Sequence, residues 1–148
     1  MFREAHAIWR GGRYAGEGTV STPSGVLDSA TYAFGSLAGS ERLSSPCELL
    51  AAAIASCMAT TIAIEMAKVG INPVVVDTYA VLTLDNFKEK WHISSSHLEI
   101  TVRTTEPQSS RFQEAVEAAR RECPVSAALK LDLICKAKLV SLTTPAVV

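Results

Sequence analysis

Between Ser44 and Gly70 the chain spells out a helix with both ends marked and almost no wet side. Ser45 suits the N-cap, Pro46 the first helical position, and Glu48 the third, where its carboxylate can bond back to the cap. Gly70, followed by Pro73, supplies the stop. In between run Leu49, Leu50, Ile54, Cys57, Met58, Ile62 and Met66, with apolar or small residues on nearly every side of the middle. Such a helix must be covered all round, by a sheet and by something else. A dimer interface is a reasonable second cover. The charge-free run from Leu49 to Ile64 falls short of the roughly 20 residues a membrane span needs, and a buried helix is the expectation.

The flanking segments predict strands. Gly11-Gly12 and Gly16-x-Gly18 punctuate the N-terminal third, then Thr19-Val20-Ser21-Thr22, with Pro23-Ser24-Gly25 as a turn before Val26-Leu27. This Gly-x-Gly leads into strand-like residues and not into a helix, so it makes a poor phosphate loop. Val74 to Leu84 is β-branched and apolar, and Asp85-Asn86 marks the expected turn after it. Leu98, Ile100 and Val102 alternate with charged and polar residues, which predicts an amphipathic antiparallel strand. Pro107-Gln108-Ser109-Ser110 opens a second helix whose inner positions are Phe112, Val116, Ala119 and Cys123. Pro124 ends or kinks that helix at Cys123. Leu131, Leu133, Cys135, Ala137 and Leu139 mark a closing strand. Strands, a long helix, two strands, a helix and a strand amount to one α+β domain over residues 1–148, with helices on one face of antiparallel sheet.

Charge balance narrows the function. With a net charge of −1 and 20% charged residues, the chain has no electrostatic case for nucleic acid or an anionic membrane surface. Residues 1–10 include Arg3, Glu4 and His6 and have no apolar core, so no signal peptide and a cytoplasmic location are expected. His6, His92 and His97 are isolated and no ligand pair has finger-like spacing, which argues against a metal site. No G-x-S-x-G is present for a serine hydrolase.

Cysteine chemistry is what remains. Without a secretory signal, Cys47, Cys57, Cys123 and Cys135 are not a structural disulfide framework. Cys135 shares a strand face with Leu133 and Ala137 and reads as a small hydrophobe. Cys57 lies mid-helix, about 16 Å from the helix start, beyond the reach of the terminal dipole. Any activation there needs a charged or polar neighbour brought in by the fold, and an inert core thiol is the alternative. Cys123 ends an apolar stripe where Pro124 opens the backbone, a place that suits either a resolving thiol or a core residue. Cys47, second in the helix, meets unpaired N–H groups that favour a thiolate; an exposed helix-start cysteine without function is the alternative and the commoner case. Ten residues of helix, about 15 Å, keep it from Cys57 of its own chain, since a disulfide tolerates roughly 7 Å.

Gly18-Thr19-Val20-Ser21-Thr22 through Ser24-Gly25-Val26-Leu27, Ser45-Pro46-Cys47-Glu48-Leu49-Leu50 leading to Ala55-Ser56-Cys57, and Cys123-Pro124-Val125-Ser126 resemble the OsmC/Ohr family, on its OsmC branch. The similarity covers nearly the whole chain, and the two cysteine segments are its specific part. It implies an intertwined homodimer with sites at the subunit interface, and peroxidase chemistry in oxidative stress defence without metal, haem or other cofactor. By that resemblance Cys57 attacks an organic hydroperoxide and becomes a sulfenic acid. Cys123 condenses with it to a disulfide, and a dithiol reductant such as a lipoyl protein reopens the bond.

Two departures from the family pattern stand in the sequence. The arginine expected three residues after the Phe of Tyr32-Ala33-Phe34 is Leu37, and the glutamate expected after the helix-start Pro is Cys47. Loss of that arginine raises the thiol pKa by about a unit or more, with about tenfold less thiolate per unit. Arg13, Arg42, Cys47 and Glu48 are the candidate substitutes, although Glu48 is accounted for by the capping box. With both activators displaced, the alternative function is a non-peroxidase redox-sensing or small-ligand-binding dimer, in which Cys47 of one chain meets Cys57 of the other.

Overall fold

The computed structural model describes residues 1–12, 16–33, 43–88, 90–105 and 109–142. Arg13, Leu37 and Arg42, and with them the proposed substitute arginines, lie outside the described residues. The chain divides into two compact units, Met1–Leu50 and Ala51–Val148.

In the first unit, β1 (His6–Arg10), β2 (Glu17–Ser21) and β3 (Ala30–Tyr32) form an antiparallel sheet in chain order. Trp9 pairs with Gly18 across β1 and β2, and Gly18 pairs with Tyr32 across β2 and β3. The Tyr32 ring lies over Gly18, where a Cβ would fall among its ring atoms. The Gly-x-Gly is therefore a strand device that admits aromatic rings. Trp9 and Tyr32 stand with centroids 5.9 Å apart, tilted at 42°. The Pro23-Ser24-Gly25 turn forms as expected, closed by Gly25 N–H donating to the Thr22 carbonyl at 2.9 Å, with Gly25 at φ 73°. Val26 and Leu27 still belong to this connection; the strand resumes at Ala30.

Helix α1 (Pro46–Lys68) starts with the capping box that its sequence spells. Ser45 Oγ accepts from Glu48 N–H at 3.1 Å, and Glu48 Oε2 accepts from Ser45 N–H at 3.0 Å and from the Ser44 hydroxyl at 3.0 Å. Ser45→Ala removes one of these acceptors. It is expected to cost about 1 kcal/mol and to lower Tm by about 2–4 °C in a calorimetric scan; an unchanged Tm would mean that the cap is redundant.

The second unit holds the rest of α1, a sheet of β4 (Val75–Phe87), β5 (Lys90–Thr104) and β6 (Asp132–Ser141), and the helices α2 (Ser109–Glu122) and α3 (Pro124–Leu129). Gly70, at φ 80°, ends α1: its N–H donates to the Ala67 carbonyl and Ile71 N–H to that of Met66, a Schellman pair. By length and apolarity α1 could cross a membrane. Its inner stripe of Ile54, Met58, Thr61, Ile62, Glu65 and Met66 is buried in protein. Leu98, Ile100 and Val102 of β5 and Phe112, Ala115, Val116, Ala119 and Cys123 complete the interior. Arg111 Nη1 donates to the Val69 carbonyl at 3.2 Å and Arg120 Nη2 to that of Leu133 at 3.3 Å, tying α2 to the end of α1 and to β6. The far side of α1, with Ala53, Ser56, Thr60 and Ile64, is exposed in the single chain.

Three expectations need correction. The β4–β5 hairpin does not turn at Asp85-Asn86: these residues pair with His92 and Trp91, and the chain reverses after Phe87, with Lys88 at φ 50°. A bulge between Thr83 and Leu84 resets the register, so the turn residues are carried inside the strand. β6 pairs with β5 in parallel, so this sheet is mixed and not wholly antiparallel; alternation records which face a strand buries but not its direction. Finally, the chain does not pass straight from Pro124 to a strand but forms the six-residue α3, too short to show a hydrophobic period.

Candidate active site

Cys57 and Cys123 come together. The helical stripe of α2 carries Cys123 into the interior beneath α1, and Pro124 then forces it out of helical geometry, at φ −66° and ψ 108°. In that extended conformation Cys123 occupies the N-cap position of α3, with Pro124 as the first helical residue. The two Sγ atoms are 3.3 Å apart, one thiol donating to the other. Cys123 is fully buried, while Cys57 is half-buried and retains a path to solvent. A disulfide needs about 2.05 Å between sulfurs, so the pair needs to close by only about 1.3 Å.

A third side chain joins them. The Ser126 hydroxyl donates to Cys123 Sγ at 3.2 Å. Burial pushes the Cys123 thiol up, but the Ser126 hydroxyl, the N–H groups of Ser126 and Val125, and the Cys57 thiol together outweigh it. The net effect is a Cys123 thiol below its ordinary value. Burial also pushes Cys57 up, and donation to Cys123 and the charge that forms there raise it further; Val125 N–H offsets only part.

Beside the pair, Ile54, Ser96, Ser126, Leu129, Leu131 and Leu133 line a cavity with room for about one water. Ser96, wholly buried on the inner face of β5, has no hydrogen-bond partner for its Oγ among the described residues.

The other candidates are placed as follows. Cys135 is half-buried beside Leu133 and Ala137 of the inner face of β6, and burial raises its thiol above the ordinary value. Cys47 is half-buried as the second residue of α1. Glu48 commits Oε2 to the capping box. Among the described residues no group of three or more His, Cys, Asp or Glu side chains could hold a metal ion.

Sequence reasoning assigned no role to Ser126 or Ser96. For Ser126 a signal existed: a hydroxyl three residues after a residue followed by Pro has the spacing of a helix-start box, with a thiol in the cap position. Ser96 falls in phase with Leu98, Ile100 and Val102, and a hydroxyl on a buried strand face calls for a partner.

Comparison with known proteins follows the same lines. The OsmC-like protein family matches residues 39–136. Peroxiredoxin OsmC of Escherichia coli (strain K12) is 32% identical over 133 residues, covering 90% of this chain and 93% of that protein. Among solved structures, the organic hydroperoxide resistance protein OhrB of Bacillus subtilis superposes with a TM-score of 0.65 at 24% identity, covering 93% of this chain and 98% of that one. An OsmC-like protein of unknown function from Vibrio cholerae superposes with a TM-score of 0.78 at 17% identity, covering 93% and 99%.

Proposed function

Because the chain belongs to the OsmC family, we propose that it is a cytosolic cysteine-dependent hydroperoxide reductase that cycles through a Cys57–Cys123 disulfide. The observation that carries this reading is the 3.3 Å contact between a half-buried and a fully buried thiol. Cys57 Sγ attacks the distal oxygen of an organic hydroperoxide; the O–O bond breaks, the alcohol leaves, and Cys57 becomes a sulfenic acid. Cys123 then attacks the Cys57 sulfur, the S–O bond breaks with release of water, and the disulfide forms. A dithiol restores both thiols and is itself oxidised. Rapid closure protects Cys57, because a sulfenic acid exposed to more peroxide proceeds to the irreversible sulfinic acid.

The working unit in this reading is a homodimer. Supporting it, Ile64 of α1 is 52% exposed, and Phe87 and Trp91 near the hairpin tip are 65% and 58% exposed. Apolar side chains this large gain about 1.5–3 kcal/mol each when fully buried.

With an organic hydroperoxide and dihydrolipoamide both in excess, the protein is expected to turn over many times, consuming one dithiol per hydroperoxide. Absence of turnover with any dithiol would overturn the peroxidase reading.

A further inference from the structure

We propose that Cys123, which accepts a hydrogen bond from the Ser126 hydroxyl, is also the base that accepts the Cys57 proton as Cys57 attacks the hydroperoxide. The inference rests on the reading above and deepens it, giving one residue two successive roles and adding Ser126 as a positioning residue.

The geometry divides the labour between the thiols. Cys123 has no exposed surface and cannot meet a substrate, whereas Cys57 is accessible. Ser126 Oγ, at 3.2 Å, donates to Cys123 and not to Cys57. Access therefore makes Cys57 the attacker, and the placement of the donor makes Cys123 the site of negative charge. At 3.3 Å the two sulfurs are within reach for direct proton transfer. The acidity of the two thiols runs the same way. Among the described residues Cys57 is the titratable group in contact with Cys123; the other buried one on α1 is Glu65, paired with Lys68. The buried face of β5 offers Ser96, Leu98, Ile100 and Val102, none ionisable, and Arg120, Arg121 and Glu122 at the end of α2 are exposed.

The steps balance. As Cys57 Sγ bonds to the distal oxygen, its proton moves to Cys123, the O–O bond breaks, and the departing alkoxide takes a proton from solvent, giving the alcohol. The hydroperoxide's own O–H hydrogen remains on the Cys57 sulfenic acid. Cys123 then attacks the Cys57 sulfur and gives its proton to the leaving oxygen, so that the S–O bond breaks and water departs. Two electrons have passed from the dithiol pair to the hydroperoxide. Through Cys123, the pair generates its own nucleophile without requiring a cation beside Cys57.

The test follows each cysteine separately in the reduced, full-length protein, by the NMR shift of 13Cβ-labelled cysteine against pH. In the wild type, Cys123 is expected to ionise at lower pH than Cys57. Ser126→Ala should move the Cys123 step up by about one pH unit, the size of one hydrogen bond to a charged sulfur. The rise with pH in the rate of Cys57 oxidation by tert-butyl hydroperoxide should move up equally, and Ser126→Thr should restore both. A wild-type titration in which Cys57 ionises first would overturn the inference while leaving the disulfide cycle intact. So would an unmoved rate profile in Ser126→Ala. If Cys123 ionises first but the wild type reduces no hydroperoxide at any pH, the peroxidase reading itself fails and the base role falls with it.

Discussion

Cys57→Ser is expected to abolish hydroperoxide consumption, while Cys123→Ser leaves a single oxidation event with no recycling. Serine keeps the hydrogen-bonding capacity of the side chain but removes the sulfur that accepts oxygen, so the first variant has no thiol at the position that meets the hydroperoxide. The second keeps the accessible thiol but loses its partner 3.3 Å away. Cys57 should then halt as a sulfenic acid, more slowly formed because its proton acceptor is missing. A second equivalent of hydroperoxide should carry it to sulfinic acid. Stopped-flow consumption and mass spectrometry of the intact protein distinguish the two variants. Full turnover by Cys57→Ser would place the chemistry on another residue.

The second large effect concerns the helix that delivers Cys123. Phe112 is 1% exposed and heads the α2 stripe that continues through Val116 and Ala119 to Cys123. Phe112→Ala should destabilise the protein by about 3–5 kcal/mol, since a buried ring is lost and the space it leaves closes only in part. Set against the 5–15 kcal/mol typical of a domain, that is a large share. In this size range Tm is expected to fall by about 10 °C or more. The site should suffer beyond the stability loss, because α2 fixes where Cys123 sits. Below the new Tm, Cys57–Cys123 closure in the variant should be slower than in the wild type. A stability loss under 1 kcal/mol would contradict the packing described for α2.

These two cases also show what a sequence can and cannot disclose. The start of α1 was legible because Ser45, Pro46 and Glu48 act on backbone groups within one turn, and its end because Gly70 supplies the positive φ. The inner faces of β5 and α2 were legible because burial imposes a period on neighbouring residues. The α+β class followed from the order of those elements. The parallel β5–β6 pairing was not legible, since it depends on a connection through α2 and α3 that leaves no mark on β6 itself. Asp85-Asn86 misled because turn propensity is a local preference of a fraction of a kcal/mol, and the bulged register of a long hairpin overrides it. At the site, the spacing of Cys57 and Cys123 along the chain carries no distance between them. Their juxtaposition was expected only through family resemblance. The Ser126 donor was hidden by the same fact: its role exists only once Pro124 has turned Cys123 out of the helix.

The most direct test of the account is intact and peptide mass spectrometry of the reduced protein after one equivalent of an organic hydroperoxide, without oxygen or added dithiol. The account predicts rapid loss of two hydrogens, mapping to a single Cys57–Cys123 linkage within one chain. Slow or absent oxidation, or a linkage through Cys47 instead, would contradict it and mean that the fold has been kept while the chemistry has been lost or rewired.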